Sequence, residues 1–206
     1  MKTVSSRVPF LLLSGYGVIF GLLAMHPYQR EIWFAENLTV LLIVGMLIVL
    51  YARGIRFSDT AYLLMSVLIL LHTIGGHYTF ERVPFDWFND LFGFERNMYD
   101  RVAHFTVGFY AFALAELLVM KRAVRSSVVL YLFPLFTIAT VAMTYELIEW
   151  VFALMNDPEA GAAYLGSQGD IWDAQKDMLS DTLGAVAALC LFGWLRYVRN
   201  GKKRVQ

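Results

Sequence analysis

Six apolar segments of membrane length take up almost the whole chain, and they restrict its possible folds more than any other feature. They lie at about 8–25, 32–51, 59–76, 102–120, 128–152 and 178–198. An α-helix needs roughly 20 apolar residues to cross the hydrocarbon core of a bilayer. Because lipid offers the backbone no hydrogen bonds, such segments are expected to be helical. The sequence therefore predicts an all-α, polytopic membrane protein with six transmembrane helices in a single integral domain, residues 1–206.

The composition supports this class of protein and excludes others. Hydrophobic residues make up 58% of the chain and charged residues 17%, which is typical of integral membrane proteins. Cys190 is the one cysteine, so a disulfide framework and a multi-thiolate metal site are excluded. The net charge is zero and no stretch forms a basic patch for nucleic acid. The expected partner is the lipid bilayer.

The basic residues are distributed unevenly between the two ends of the predicted helices. The chain has 17 lysines and arginines, and most of them fall at the ends that share a side with both termini. These are Lys2, Arg7, Arg53, Arg56, Lys121, Arg122, Arg125, Arg196, Arg199, Lys202, Lys203 and Arg204. Because cytoplasmic loops carry the excess of lysine and arginine, both termini are expected in the cytoplasm.

The longest connection between predicted spans follows the third helix. Its stretch from Pro84 to Phe92 mixes aromatic residues with acids. This pattern is typical of a short amphipathic helix that lies in the membrane interface. We therefore expect a short interfacial helix on the outer side, between the third and fourth spanning helices.

Ten ionisable residues gather at the outer ends of the predicted helices. They are His72, His77, Asp100, His104, Glu146, Glu149, Asp170, Asp173, Asp177 and Asp181. A charged side chain at the centre of a spanning helix costs about 2.5–3.5 kcal/mol on insertion scales. Residues of this kind are therefore expected to line a protein interior or a wet cavity, or to sit at the interface.

Two spacings within this group are compatible with a cation site, and also with a carboxylate that orients the His104 ring or with local helix pairs. Asp100 and His104 lie one helical turn apart on one face. Asp173, Asp177 and Asp181 recur at every fourth position, and acids on one stripe repel one another unless a cation or proton intervenes. The helix dipole stabilises acids in the first turn of a helix, but it explains Asp181 least, because that residue already lies within the apolar run.

A carboxylate and imidazole set without thiolate suits a divalent ion such as zinc, manganese, magnesium or calcium. The candidate metal ligands are Asp100, His104, Asp177 and Asp181. Glu146 lies deeper in its helix than Glu149, and a desolvated carboxyl can donate or accept a proton. Glu146 and the imidazole of His104 are therefore the candidates for acid–base catalysis. The alternative is a structural polar network that only holds helices together, since such networks also perturb acids.

Several motifs give the chain a family resemblance. The segments Met98–Phe105, Tyr145–Trp150, Gly169–Asp173 and Asp181–Gly184 resemble the YjdF family of uncharacterised bacterial inner-membrane proteins. That resemblance covers most of the chain and implies a multi-pass protein of the bacterial inner membrane. It implies little about activity.

The last three predicted helices also resemble the VanZ-like group. The matching positions are Asp100, Arg101, His104, Phe105, Glu146, Asp177, Asp181, Thr182 and Gly184. That group tends to have lysine where this chain has Arg101 and asparagine where it has Asp181. This second resemblance implies a role connected with the cell envelope.

Three functions are compatible with these observations. One is a membrane-embedded enzyme that acts on a lipid-linked or envelope substrate, with the metal and acid–base residues named above. Another is a transporter or ion-binding protein, although no inverted repeat is evident in the sequence. The third is a structural membrane protein. The sequence names no substrate, reaction, metal or oligomeric state.

Overall fold

The computed structural model describes residues 6–155, 165 and 167–204, with side chains as far as Arg199. All regular secondary structure in these ranges is helical. The helices with described bounds are α1 (Val8–Leu23), α2 (Arg30–Ala52), α3 (Asp59–Tyr78), α4 (Asp86–Phe92), α5 (Tyr99–Val107), α6 (Tyr110–Met120), α7 (Ser127–Met155) and α8 (Asp173–Arg204). The prediction of an all-α class is confirmed.

Five helical units are long and apolar enough to cross a membrane. They are α2, α3, α5 together with α6, α7 and α8. Helix α1 is apolar but has 16 residues, so it is only about 24 Å long against a hydrocarbon core of about 30 Å. The multi-pass architecture is therefore confirmed, while the sixth span stays a prediction.

Helices α3 and α8 are the centre of the bundle. Helix α8 packs against α5, α6 and α7, and α3 packs against α1, α2, α5 and α6. Alanines are frequent in the largest buried cluster, which includes Ala61, Ala111, Ala115, Ala185 and Ala188. Small residues let helices approach closely, and in lipid such close packing replaces the hydrophobic effect as the force that joins helices.

Two glycines mark the closest approach in the bundle. A Cβ atom on Gly184 of α8 would overlap the carbonyl oxygen of Phe105, and one on Gly108 would overlap the backbone of Ala185. The chain also breaks there: the Phe109 amide donates to the carbonyl of Thr106, three residues back. This break separates α5 from α6, and the crossing fixes α5 directly against α8.

Two tyrosine hydroxyls fix the same unit against α3. Tyr99 donates a hydrogen bond to the carbonyl of Leu71 (2.8 Å), and Tyr110 donates to that of Met65 (3.1 Å). Helix α5 is thereby held between α3 and α8, which brings the polar residues of all three to one end of the bundle.

The predicted short helix after the third span is present as α4. Its seven residues include Asp86 and Asn89, and Trp87, Leu91 and Phe92 are exposed. An exposed apolar face beside polar residues is typical of a helix in an interface. Its position in the membrane interface remains a prediction.

Candidate functional site

A cavity of about 110 Å³ lies at the end of the bundle where α2, α5 and α8 begin and α3 and α7 end. Its ionisable and phenolic lining residues are Glu36, His72, Asp100, His104, Tyr145, Glu149 and Asp181. Asp100, His104 and Asp181 are three of the four predicted metal ligands. Five helices thus contribute polar groups to one small space.

His104 lies between two carboxylates. Its Nδ1 hydrogen-bonds with Asp181 Oδ2 at 3.3 Å, and its Nε2 lies 3.7 Å from Asp100 Oδ1. Asp100 lies one turn before His104 on α5, whereas Asp181 lies across the crossing on α8. Because Gly184 lets α8 approach α5 to backbone contact, a carboxylate at position 181 reaches the ring.

Asp100, His104 and Asp177 together have the geometry of a cation site. Each offers one ligand atom, and these atoms all lie within 4.8 Å of one another. Bonds to magnesium or calcium measure about 2.0–2.6 Å, so two ligands of one ion are at most about 5 Å apart. The three side chains therefore meet the distance requirement for one shared cation.

An arginine anchors the acids of α8 to α5. The buried Arg101 guanidinium pairs with the Asp173 carboxylate and donates to the Asp173 carbonyl at 3.0 Å. Its Nε lies 3.2 Å from Asp177 Oδ1. Arg96 adds a 2.5 Å contact to Asp173 Oδ1. Asp173 is thus neutralised by two arginines, while Asp177 shares one of them.

Asp170 stands outside the spanning helices; its nearest cationic partner is Lys176, and Arg96 Nη1 lies 3.4 Å from its Oδ2. Lys176 Nζ donates a 2.6 Å hydrogen bond to Asp170 Oδ2, and the Trp172 amide donates to Oδ1 at 3.1 Å. These bonds hold the pKa of the Asp170 carboxyl below its usual value, the Lys176 bond having the larger effect. Asp170 belongs to the rim of the site.

Negative charge exceeds positive charge around His104. The acids of α5 and of the stretch from Asp170 into α8 are Asp100, Asp170, Asp173, Asp177 and Asp181, and the lysine and arginine side chains that pair with acids there are Arg96, Arg101 and Lys176. The acids outnumber these cations by two, and Asp100 and Asp181 have the His104 imidazole as their partner. Asp181 is 1% exposed, and its Oδ1 has no hydrogen-bond partner among the described residues.

The opposite wall of the cavity holds a second carboxylate and imidazole pair, which sequence reasoning missed. Glu36 of α2 is 3% exposed, and its Oε2 lies 2.9 Å from His72 Nε2. Tyr145 of α7 donates a 3.3 Å hydrogen bond to the same oxygen. The available signal is the pair of polar residues Glu36 and Asn37 within an apolar segment, which is equally compatible with contact to the lipid headgroups.

The remaining predicted residues occupy different places. Glu146 does not line the cavity, although it lies on α7 beside Tyr145; it is partly buried, and its Oε1 has no hydrogen-bond partner among the described residues. His77 lies away from the site, with its Nδ1 2.7 Å from the Leu23 carbonyl. The catalytic roles of His104 and Glu146 and the ligand roles of Asp100, His104, Asp177 and Asp181 stay predictions.

Comparison with known proteins places the chain among membrane proteins. The family described as "Predicted membrane protein (DUF2238)" matches residues 8–197. The inner membrane protein YjdF of Escherichia coli (strain K12) is 36% identical over 165 residues, which cover 79% of this chain and 78% of the relative. No solved structure matches the chain significantly. The predicted relationship to YjdF is confirmed, and the resemblance to the VanZ-like group stays a prediction.

Proposed function

The chain belongs to the DUF2238 family of predicted membrane proteins, and from this premise we propose that it is a multi-pass protein of the bacterial inner membrane that binds a divalent cation. Asp100, His104 and Asp177 supply the ligands, and the cation serves chemistry on a lipid-linked or envelope substrate. YjdF is named as an inner membrane protein, which supports this location.

The observation that carries the proposal is the spacing of three ligand atoms within 4.8 Å of one another. Two features beyond the acids themselves support it. Asp100 and Asp181 pair with His104 but with no lysine or arginine among the described residues, and a divalent ion would balance their charge. In addition, the unpaired Oδ1 of Asp181 is buried in the cavity wall, where an unsatisfied charged group is costly.

The residues take distinct roles in this proposal. His104 ligates the ion through Nε2 and donates its Nδ1 hydrogen to Asp181, as metal-bound histidines usually do toward a carboxylate. Asp181 then orients the ring, and its second oxygen is a further potential ligand. A bound ion would polarise a substrate oxygen or activate water. A ligating His104 is no longer a free base, so in this proposal His104 acts as a ligand.

For the topology, we propose six spans with both termini in the cytoplasm and α4 in the outer interface. The basic residues at the inner helix ends favour this orientation. It also requires α1 to cross the membrane, since five spans would put the termini on opposite sides. The 16-residue α1 is short, but a short helix is accommodated by local thinning of the bilayer at modest cost.

A structural role is the second candidate, and one observation favours it. Arg101 already joins α5 to Asp173 and Asp177 of α8. In that case the acids serve helix association, and the cation is dispensable. Transport is a third possibility, which substrate-dependent flux in proteoliposomes would reveal.

Mn²⁺ binding by purified protein distinguishes these functions. We expect one bound Mn²⁺ per chain in the wild type, and none in His104→Ala or in Asp177→Asn. Asp59→Asn removes an exposed acid at the opposite end of the bundle and should bind as the wild type does. Unchanged metal content with a large fall in melting temperature would support the structural role instead.

A further inference from the structure

We propose that the cavity binds a lipid with a phosphate head group, whose hydrocarbon chain leaves sideways between α2 and α7. The proposal rests on the cation site described above and identifies the class of substrate at that site. Four features of the described residues support it: the layering of the cavity wall, its lateral boundary, its size and the chemistry of the site.

The lining of the cavity is layered along the membrane normal. On α3, Leu68 and Ile69 lie one turn deeper in the bundle than His72, and on α5, Val107 lies one turn deeper than His104. A cavity with a polar outer part and an apolar inner part is complementary to an amphiphile with its head outward.

The helices on the lateral boundary repeat the same order. On α2, Val40 and Ile43 lie deeper than Glu36, and on α7, Val141 lies deeper than Tyr145. On four helices, therefore, the lining residues nearer the membrane centre are apolar and those nearer the outer end are polar. A cavity for a fully polar solute would not need this apolar inner lining.

The boundary between α2 and α7 is the natural exit for a chain. Helix α2 packs against α3, whereas α7 packs against α6 and α8. The hydrogen bond from Tyr145 to Glu36 joins the two helices at the polar end. Nearer the membrane centre, Val141 lines the cavity and is 50% exposed. A lining residue that is half exposed indicates that the cavity is open at this point.

The size of the cavity argues for partial enclosure. About 110 Å³ is room for several waters, because a cavity needs about 10–15 Å³ to hold one water. A whole lipid cannot fit, whereas a head group and the first carbons of a chain can. The rest of the chain must then lie among the bilayer lipids, as the lateral exit allows.

The head group follows from the chemistry of the cation site. Three protein ligands leave positions open on an ion that prefers six or more oxygen ligands, and phosphate oxygens commonly fill such positions on Mg²⁺. A cationic head group is the contrasting possibility, because it would pair directly with the unbalanced carboxylates and need no metal.

Photolabelling of the protein in nanodiscs tests the proposal. The probe is a long-chain alkyl phosphate with a photoreactive group in its chain, and an alkyl trimethylammonium of equal length is the comparison. We expect Mn²⁺-dependent labelling of α2 and α7 by the phosphate probe, abolished by chelation and by His104→Ala. Val141→Trp should block labelling while Mn²⁺ binding persists, and Ile43→Trp should do the same from the facing helix.

Met143→Trp is the matched control, because Met143 is equally exposed on α7 but does not line the cavity; its labelling should equal that of the wild type. Mn²⁺ binding without cation-dependent labelling of α2 and α7 would overturn this proposal alone. Equal labelling by the ammonium probe would also overturn it. Failure to bind Mn²⁺ would overturn the cation site and this proposal together.

Discussion

At the scale of single residues, Asp181 has two roles: it orients the ring of His104 and it lines the cavity. Its Oδ2 bonds with His104 Nδ1, and its Oδ1 is buried without a partner. We predict that Asp181→Asn weakens Mn²⁺ binding about 10–100-fold, as loss of such an orienting carboxylate usually does. Asparagine keeps an acceptor oxygen for the ring, so the melting temperature of the metal-free protein should stay near that of the wild type. Titration with Mn²⁺ measures the first quantity and thermal unfolding the second.

An Asp181→Asn variant that binds Mn²⁺ with wild-type affinity would contradict this role. Asp170→Asn is the control on the same stretch of chain, because Asp170 pairs with Lys176 at the rim. It should leave Mn²⁺ affinity unchanged.

The pair of Glu36 and His72 is expected to contribute to stability. His72→Ala removes the imidazole 2.9 Å from a carboxylate that is 3% exposed. Leaving one member of a buried pair alone costs about 3–5 kcal/mol, so the melting temperature should fall clearly. Adding Glu36→Gln to His72→Ala should recover part of the loss, since the unpaired charge is then gone. Strictly additive losses in this double-mutant cycle would show that the two side chains do not interact.

Lys176 controls the protonation of Asp170 at the rim. Its hydrogen bond lowers the pKa of the Asp170 carboxyl, so that bond favours the folded protein above the ordinary aspartate pKa. The contribution is lost as the pH falls through the lowered value. We predict that Lys176→Gln raises the pKa of Asp170 toward its usual value, as measured by NMR of the isotope-labelled carboxyl. An unchanged pKa would contradict the assigned cause.

At the scale of elements, the crossing of α5 and α8 determines whether the site exists. Ala at position 184 would drive a Cβ into the Phe105 carbonyl, and relief requires the two helices to separate. We predict that Gly184→Ala costs about 3 kcal/mol or more, at the upper end of overpacking effects, and that it also abolishes Mn²⁺ binding. Thermal unfolding and metal analysis of one preparation give both results.

Gly45→Ala is the matched control for this change. Gly45 lies within α2, and a Cβ there would meet no atom within 4 Å. Alanine has the higher helix propensity, so stability should be equal or slightly greater. If Gly184→Ala were as well tolerated as Gly45→Ala, the close crossing would not be the feature that positions His104 against Asp181.

The elements also show what the sequence could predict. Length and hydropathy were enough to find the long helices, because each apolar segment must hide its backbone from lipid. The break at Gly108 could not be found in this way, since the apolar pattern continues from Tyr99 to Met120. The break depends on the approach of α8, which begins 65 residues further along the chain.

The two walls of the cavity, one with Asp100 and His104 and the other with Glu36 and His72, differ in how far the sequence could predict them. Asp100 and His104 share one helix face, so their spacing was visible in the sequence. Glu36 and His72 lie on different helices, and only packing brings them to the same cavity. Glu146 shows the opposite case: its depth along α7 was predicted, but the direction of its side chain depends on how α7 is rotated against α8.

At the scale of the whole molecule, orientation decides which compartment the cavity faces. The proposed six spans put the acidic end outside and both termini in the cytoplasm. A reporter enzyme fused after Gln206 should therefore be active only if it is a type that works in the cytoplasm, and one fused within the segment between Phe92 and Asn97 only if it works outside. Activity of a periplasmic reporter at the C-terminus would refute the six-span topology.

The central claim, that His104 and its neighbouring acids bind a divalent cation, is tested most directly by pulsed electron paramagnetic resonance of Mn²⁺ bound to the purified protein. The account predicts hyperfine coupling from one directly ligated imidazole nitrogen, which disappears in His104→Gln and persists in His72→Gln. Bound Mn²⁺ with no nitrogen coupling, or a coupling that survives in His104→Gln, would contradict it.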